Sequence, residues 1–199
     1  MDIIKDLLLK PYFWIIISTF IVIIYMFQKN NNFIDIKRIV SNHFKIFNKS
    51  VWQILFFTIV PILFSIGFLI EQRLNDTILN CLSVIFSILV AMFFSILAVL
   101  LSIQSNFNQK NTQKNMYNNT LLVIEQCTDT VIYEILLSIV ILFLLFLFVV
   151  FEKSMATWVK YVSTFFVYTF SNSVILNIFI LIKRLKSIFD KVSDVNNYN

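Results

Sequence analysis

A single glycine and two prolines in 199 residues give this chain few sharp turns and few helix stops. A glycine-rich phosphate loop is thereby excluded, along with the nucleotide chemistry that depends on one. Histidine occurs once, at His43, and cysteine twice, at Cys81 and Cys127. That supply rules out an HExxH zinc site, paired metal-binding cysteines and a disulfide framework, and no nucleophile elbow is present. Charged residues make up only 14% of the chain, against about a quarter in soluble domains. The reading is therefore of a protein with no enzymatic chemistry and no cofactor.

What the chain has instead is apolar mass: 59% hydrophobic residues, 23 of them phenylalanine. These gather in long blocks nearly free of charge, which match the thickness of a bilayer core. The blocks predict spans at about 12–27, 51–70, 78–103, 131–151 and 161–182. The fold class expected is an all-α polytopic membrane bundle of four or five transmembrane helices, forming one membrane domain over 1–199. The count turns on Tyr12–Phe27, which is short for a span. Polar residues rather than a small-residue cleavage site follow it, so it reads as an uncleaved anchor. Pro61 lies near the centre of the second span, where a bend is expected. The segment 104–130 has neither glycine nor proline. Both flanking helices are expected to run on beyond the bilayer through it as a helical hairpin.

Basic residues orient the chain. Segments 28–50, 104–130 and 183–199 hold eleven lysines and arginines, while the connections on the opposite face hold three. The richer face is expected to be cytoplasmic, with the C-terminus there. The formal net charge of +5 is assigned to orientation and to anionic lipid, not to nucleic acid, since the basic residues lie between apolar blocks. Lys37, Arg38, Lys45, Lys183, Arg184 and Lys186 are candidates for contact with lipid or a protein partner. The tail is read as an amphipathic extension that frays toward Asn199, and His43 as a solvated loop residue.

Inside the spans, Ser83, Ser87, Ala91 and Ser95 recur every fourth residue, and Ala98 and Ser102 continue the row. Small residues at that spacing let another backbone approach and let hydroxyls bond across the contact. Packing within the chain, an oligomer interface and a hydroxylated pore lining all remain open. Asn172 and Asn177 place two carboxamides in the last span, where each needs a polar partner or a solvated cavity. Glu134, about one turn inside the fourth span, is expected to reach back toward the headgroups.

The order of segments TIVPILFSI, LSVIFSILVAMFFSILAVLLSI, NNTLLVIEQCTDTVIYEILLSIVILFLLF and NSVILNIFILIKRLKSIFD resembles that of small multi-pass phage-defence membrane proteins. The Kiwa membrane subunit KwaA and RexB-like proteins are of this kind. The resemblance covers roughly 51–190 and implies a bacterial inner-membrane subunit that senses envelope disturbance and works with a cytosolic effector. It also implies a homo-oligomer, with a tetramer among the options. Two other readings stand beside it: an oligomeric pore-forming effector, and a passive structural or assembly subunit.

Overall fold

The computed structural model describes residues 17–18, 36–45, 51–109 and 114–197. Among them are five helices and no strand: α1 (Ile36–Lys45), α2 (Val51–Glu71), α3 (Asp76–Gln109), α4 (Lys114–Phe151) and α5 (Thr157–Asn197). The chain divides into two compact units, Met1–Ser41 and Asn42–Asn199. In the first, Ile17, Ser18 and the opening turns of α1 are described and helical. The rest of the Tyr12–Phe27 block lies outside the described residues.

In the second unit, four helices are long and apolar enough to cross a membrane: Trp52–Glu71, Asp76–Ser105, Thr120–Phe151 and Thr157–Asp190. They are 20 to 34 residues long, which at about 1.5 Å per residue covers a hydrocarbon core of about 30 Å. Every span expected from 51 onward lies within α2, α3, α4 or α5. The helices on either side of the 104–130 segment continue well into it, as the lack of glycine and proline predicted. The tail continues α5 to Asn197 and buries Ile188, as an amphipathic extension would, and the last two residues lie outside the described ones.

Packing follows a heptad. Buried positions on α4 include Thr120, Ile124, Cys127, Val131, Glu134, Ser138, Ile141, Leu145 and Phe148, with Thr130 and Ile135 buried beside them. The spacing of the first nine alternates four and three residues, the 3.5 repeat that keeps one seam facing a partner helix. On α3 the same alternation runs through Leu79, Leu82, Phe86, Leu89, Phe93, Ile96, Leu100 and Ile103. On α5 it runs through Val167, Ser171, Val174, Ile178, Leu181, Leu185 and Ile188.

These seams set α3 against α4 and α4 against α5, while α2 packs on α5. Although four residues join α2 to α3, they are not packing partners among the described residues. The reason lies at the Gln72–Asn75 turn. The Tyr168 hydroxyl donates to the Gln72 carbonyl at 3.1 Å, the Phe68 ring meets Tyr168 edge-on, and the Arg73 guanidinium lies 4.1 Å over Tyr161. All three contacts tie the end of α2 to α5. The Asn75 side chain meanwhile accepts the Ile78 N–H at 2.9 Å and caps α3 in its new direction. On α2 the buried positions are Pro61 and Ser65, small residues that allow a close approach to α5. The helix continues through Pro61, and Ser65 donates to the Pro61 carbonyl at 2.6 Å. Gly67 faces open space, so its small size serves no contact among the described residues.

Candidate functional site

Along the α4 seam one position breaks the apolar rule. Glu134 is 0% exposed, turned into the protein where a carboxylate at the bundle edge was expected to reach outward. The correction has a geometric cause. Position 134 falls on the heptad seam, between Val131 and Ser138, and a side chain there points at α5 whatever its polarity. Neither carboxyl oxygen makes a hydrogen bond among the described residues. The Asn177 carboxamide lies beside it on α5, interacting with it without an ordinary hydrogen-bond geometry. Asn177 is itself 3% exposed.

Two hydroxyls extend this polar strip along the seams. Ser138, one turn from Glu134, and Ser171 on α5 are both buried, and neither hydroxyl has a partner among the described residues. The neighbouring Thr130 is satisfied by the Gln126 carbonyl at 2.9 Å. Glu134 stands 17 residues from Phe151, so at about 1.5 Å per residue it lies roughly 25 Å along the helix. That depth is close to the far edge of a hydrocarbon core, at the end of the bundle where basic residues gather.

At this basic end α1 meets α4. His43, expected in solvent, is 2% exposed and stacks on Tyr133 with ring centroids 4.0 Å apart and planes 10° apart. The adjacent Asn42 donates at 3.1 Å to the carboxylate of Asp129, one turn before Tyr133 on α4. The sequence does carry a signal for this helix. Ile36, Ile39, Val40 and His43 fall at the i, i+3, i+4, i+7 spacing of an amphipathic helix. Burial pushes the His43 imidazole down to about 4, and the positive charge of Arg184 pushes the same way. Arg184 is half-buried and reaches the Gln126 side-chain oxygen at 3.5 Å. Asp129 therefore bonds to Asn42, whereas Glu125, one turn away, is exposed.

The other candidates scatter. Lys37, Arg38, Lys183 and Lys186 are exposed, whereas Arg184 belongs to the buried cluster. The Lys45 side chain lies outside the described residues. Asn172 is half-buried and apart from Glu134, and of the two asparagines only Asn177 joins it. Of the small-residue row, Ser83 is half-buried, and Ser87, Ala91, Ser95, Ala98 and Ser102 are exposed. Among the described residues no other helix covers those five. Their hydroxyls turn inward on their own backbone: Ser83 donates to Leu79, Ser87 to Ser83 and Ser95 to Ala91. A fourfold row drifts away from the 3.5 seam, so the close packing within the chain falls on Leu79 to Ile103 instead. Cys81 is exposed and Cys127 buried, and both are free thiols.

Among the described residues no group of three or more histidine, cysteine, aspartate or glutamate side chains is placed to hold a metal ion. No protein-family model, no curated protein and no solved structure matches the chain.

Proposed function

We propose that this chain is a non-enzymatic subunit of a bacterial anti-phage defence system. In this reading it lies in the inner membrane with its basic end and C-terminus in the cytoplasm. It senses disturbance of the envelope and passes the change to a cytosolic effector. The observation that supports this best is the docking of Asn42 and His43 on Asp129 and Tyr133, next to the buried Glu134. A shift of α4 against α5 at that level alters the surface on which the end of α1 rests. The exposed Lys183 and Lys186 then offer an acidic partner a docking face beside the moving part.

The test is to reverse Lys37, Arg38, Lys183 and Lys186 to glutamate in cells challenged with phage. Membrane insertion should persist, while capture of a cytosolic protein and restriction of plating are both lost. Unchanged restriction would overturn the reading.

One observation favours the pore-forming alternative, namely that Ser87, Ala91, Ser95, Ala98 and Ser102 have no cover among the described residues. Several copies could bring those faces around an axis. Ser95→Leu should then block dye entry after infection while leaving capture of the cytosolic protein intact.

A further inference from the structure

The unpartnered oxygens at the α4–α5 seam form a constellation with a definite chemistry. A lone carboxylate removed from water without a counter-charge is among the costliest groups a protein can bury. Here neither Glu134 oxygen is bonded, and the neutral oxygens of Asn177, Ser138 and Ser171 lie along the same two seams. Placing Glu134 level with Asn177 sets Ser138 and Ser171 roughly two to three residues apart along the antiparallel pair, or about 4 Å at 1.5 Å per residue. The strip is thus continuous for about 9 Å inward from the carboxyl.

We propose that the Glu134 carboxyl, with the Asn177 carboxamide and the Ser138 hydroxyl, binds one small monovalent cation, a proton or a sodium ion. A single positive charge neutralises the single negative one, whereas a divalent ion would leave the seam with an uncompensated charge. Hard cations also take oxygen ligands, and oxygen is the ligand type present. When a proton binds, one Oε gains an O–H bond, no other bond changes, and the new donor can bond the Asn177 carbonyl oxygen. When sodium binds, the carboxylate supplies the charge, and Asn177 and Ser138 supply neutral oxygens.

The surrounding charges do not replace this ligand. Facing the region are His43 from α1, Asp129 and Tyr133 from α4 itself, and Arg184 from α5. Asp129 is bonded to Asn42 and Arg184 to Gln126, and the α3 seam brings only apolar side chains. The site does not depend on the defence reading, since cation binding can be measured on the purified chain without any phage.

A hydrophobic fluorescent carbodiimide tests it, because this reagent attacks a protonated carboxyl in apolar surroundings. The full chain is labelled in proteoliposomes across a pH series, in sodium chloride and in choline chloride, and the modified residue is located by mass spectrometry. Glu134 should label, and labelling should fall as pH rises. Protection by sodium but not choline assigns the site to sodium, and equal rates in both salts assign it to the proton. Asn177→Leu, checked for folding by circular dichroism and size-exclusion chromatography, should move the pH profile by about one unit, a roughly tenfold change in affinity. The proposal is overturned if Glu134 stays unlabelled at every pH, if its labelling ignores both pH and salt, or if Asn177→Leu leaves the profile unchanged.

Discussion

A histidine ring stacked on tyrosine and withdrawn from water keeps its place only while neutral. In free solution His43 would take up a proton near 6.5, but the docked ring resists it down to about 4. The undocked form thus binds protons more readily across that window, and docking loses strength as pH falls through it. Above 6.5 docking is at full strength, and the loss by pH 4 amounts to roughly 3 kcal/mol at 1.36 kcal/mol per pH unit. The protection of the α1 amides, taken as exchange relative to the intrinsic rate at each pH, should therefore fall between pH 6.5 and 4, and His43→Phe should flatten that dependence. Glu134 gives a contrasting case at the same scale. In sodium-free buffer at pH 8, Glu134→Gln should melt at or above the temperature of the parent chain, because it removes a buried charge and keeps the shape. Glu134→Ala should melt lower, since it leaves a void in the seam. Differential scanning fluorimetry in detergent distinguishes the two. Neither residue's burial could be read from composition, because a lone histidine or glutamate near the end of an apolar block usually faces water.

Helix existence was legible because membrane helices declare themselves by length and apolarity, and every block from residue 51 onward is a helix. The packing seams were legible in principle, yet hidden. In a helix that is apolar on every side, the inward face has no polar face to contrast with it. The serine and alanine row of α3 stood out because it differed chemically from its surroundings. The true seam, Leu79 to Ile103, is made of the same leucine, isoleucine and phenylalanine as the outer surface. Only the alternation of four and three identifies it. Adjacent phenylalanines separate seam from surface, for Phe93 is buried and Phe94 exposed. Phe93→Ala should destabilise the chain by about 3–5 kcal/mol, and Phe94→Ala should change it by less than about 0.5 kcal/mol. Unfolding by denaturing detergent, followed by circular dichroism, measures both. Equal effects would mean that the heptad does not organise the contact.

Across the second unit, the packing order α2, α5, α4, α3 departs from chain order because the Gln72–Asn75 turn is held by α5. The helices at the two ends of that order are the least covered, with 11% of the membrane window buried on α2 and 17% on α3. The middle pair, α4 and α5, reach 39% and 33%. All the buried polar groups discussed here except Ser65 lie on that middle pair or on α1, which meets it at the basic end. That arrangement makes orientation the decisive property of the molecule, since it determines which compartment the His43 and Glu134 cluster adjoins. On the proposed orientation, in which the lysine- and arginine-rich end faces the cytoplasm, the cluster adjoins that compartment. Two single cysteines test this in a chain whose Cys81 and Cys127 are both changed to alanine. Ser154→Cys, in the exposed turn Glu152 to Ser154, should react with a membrane-impermeant maleimide added to intact spheroplasts. Lys183→Cys, at the basic end, should react only after the membrane is opened. The reverse pattern would place the cluster on the outer face, where envelope stress is met directly and a cytosolic effector has no access to it.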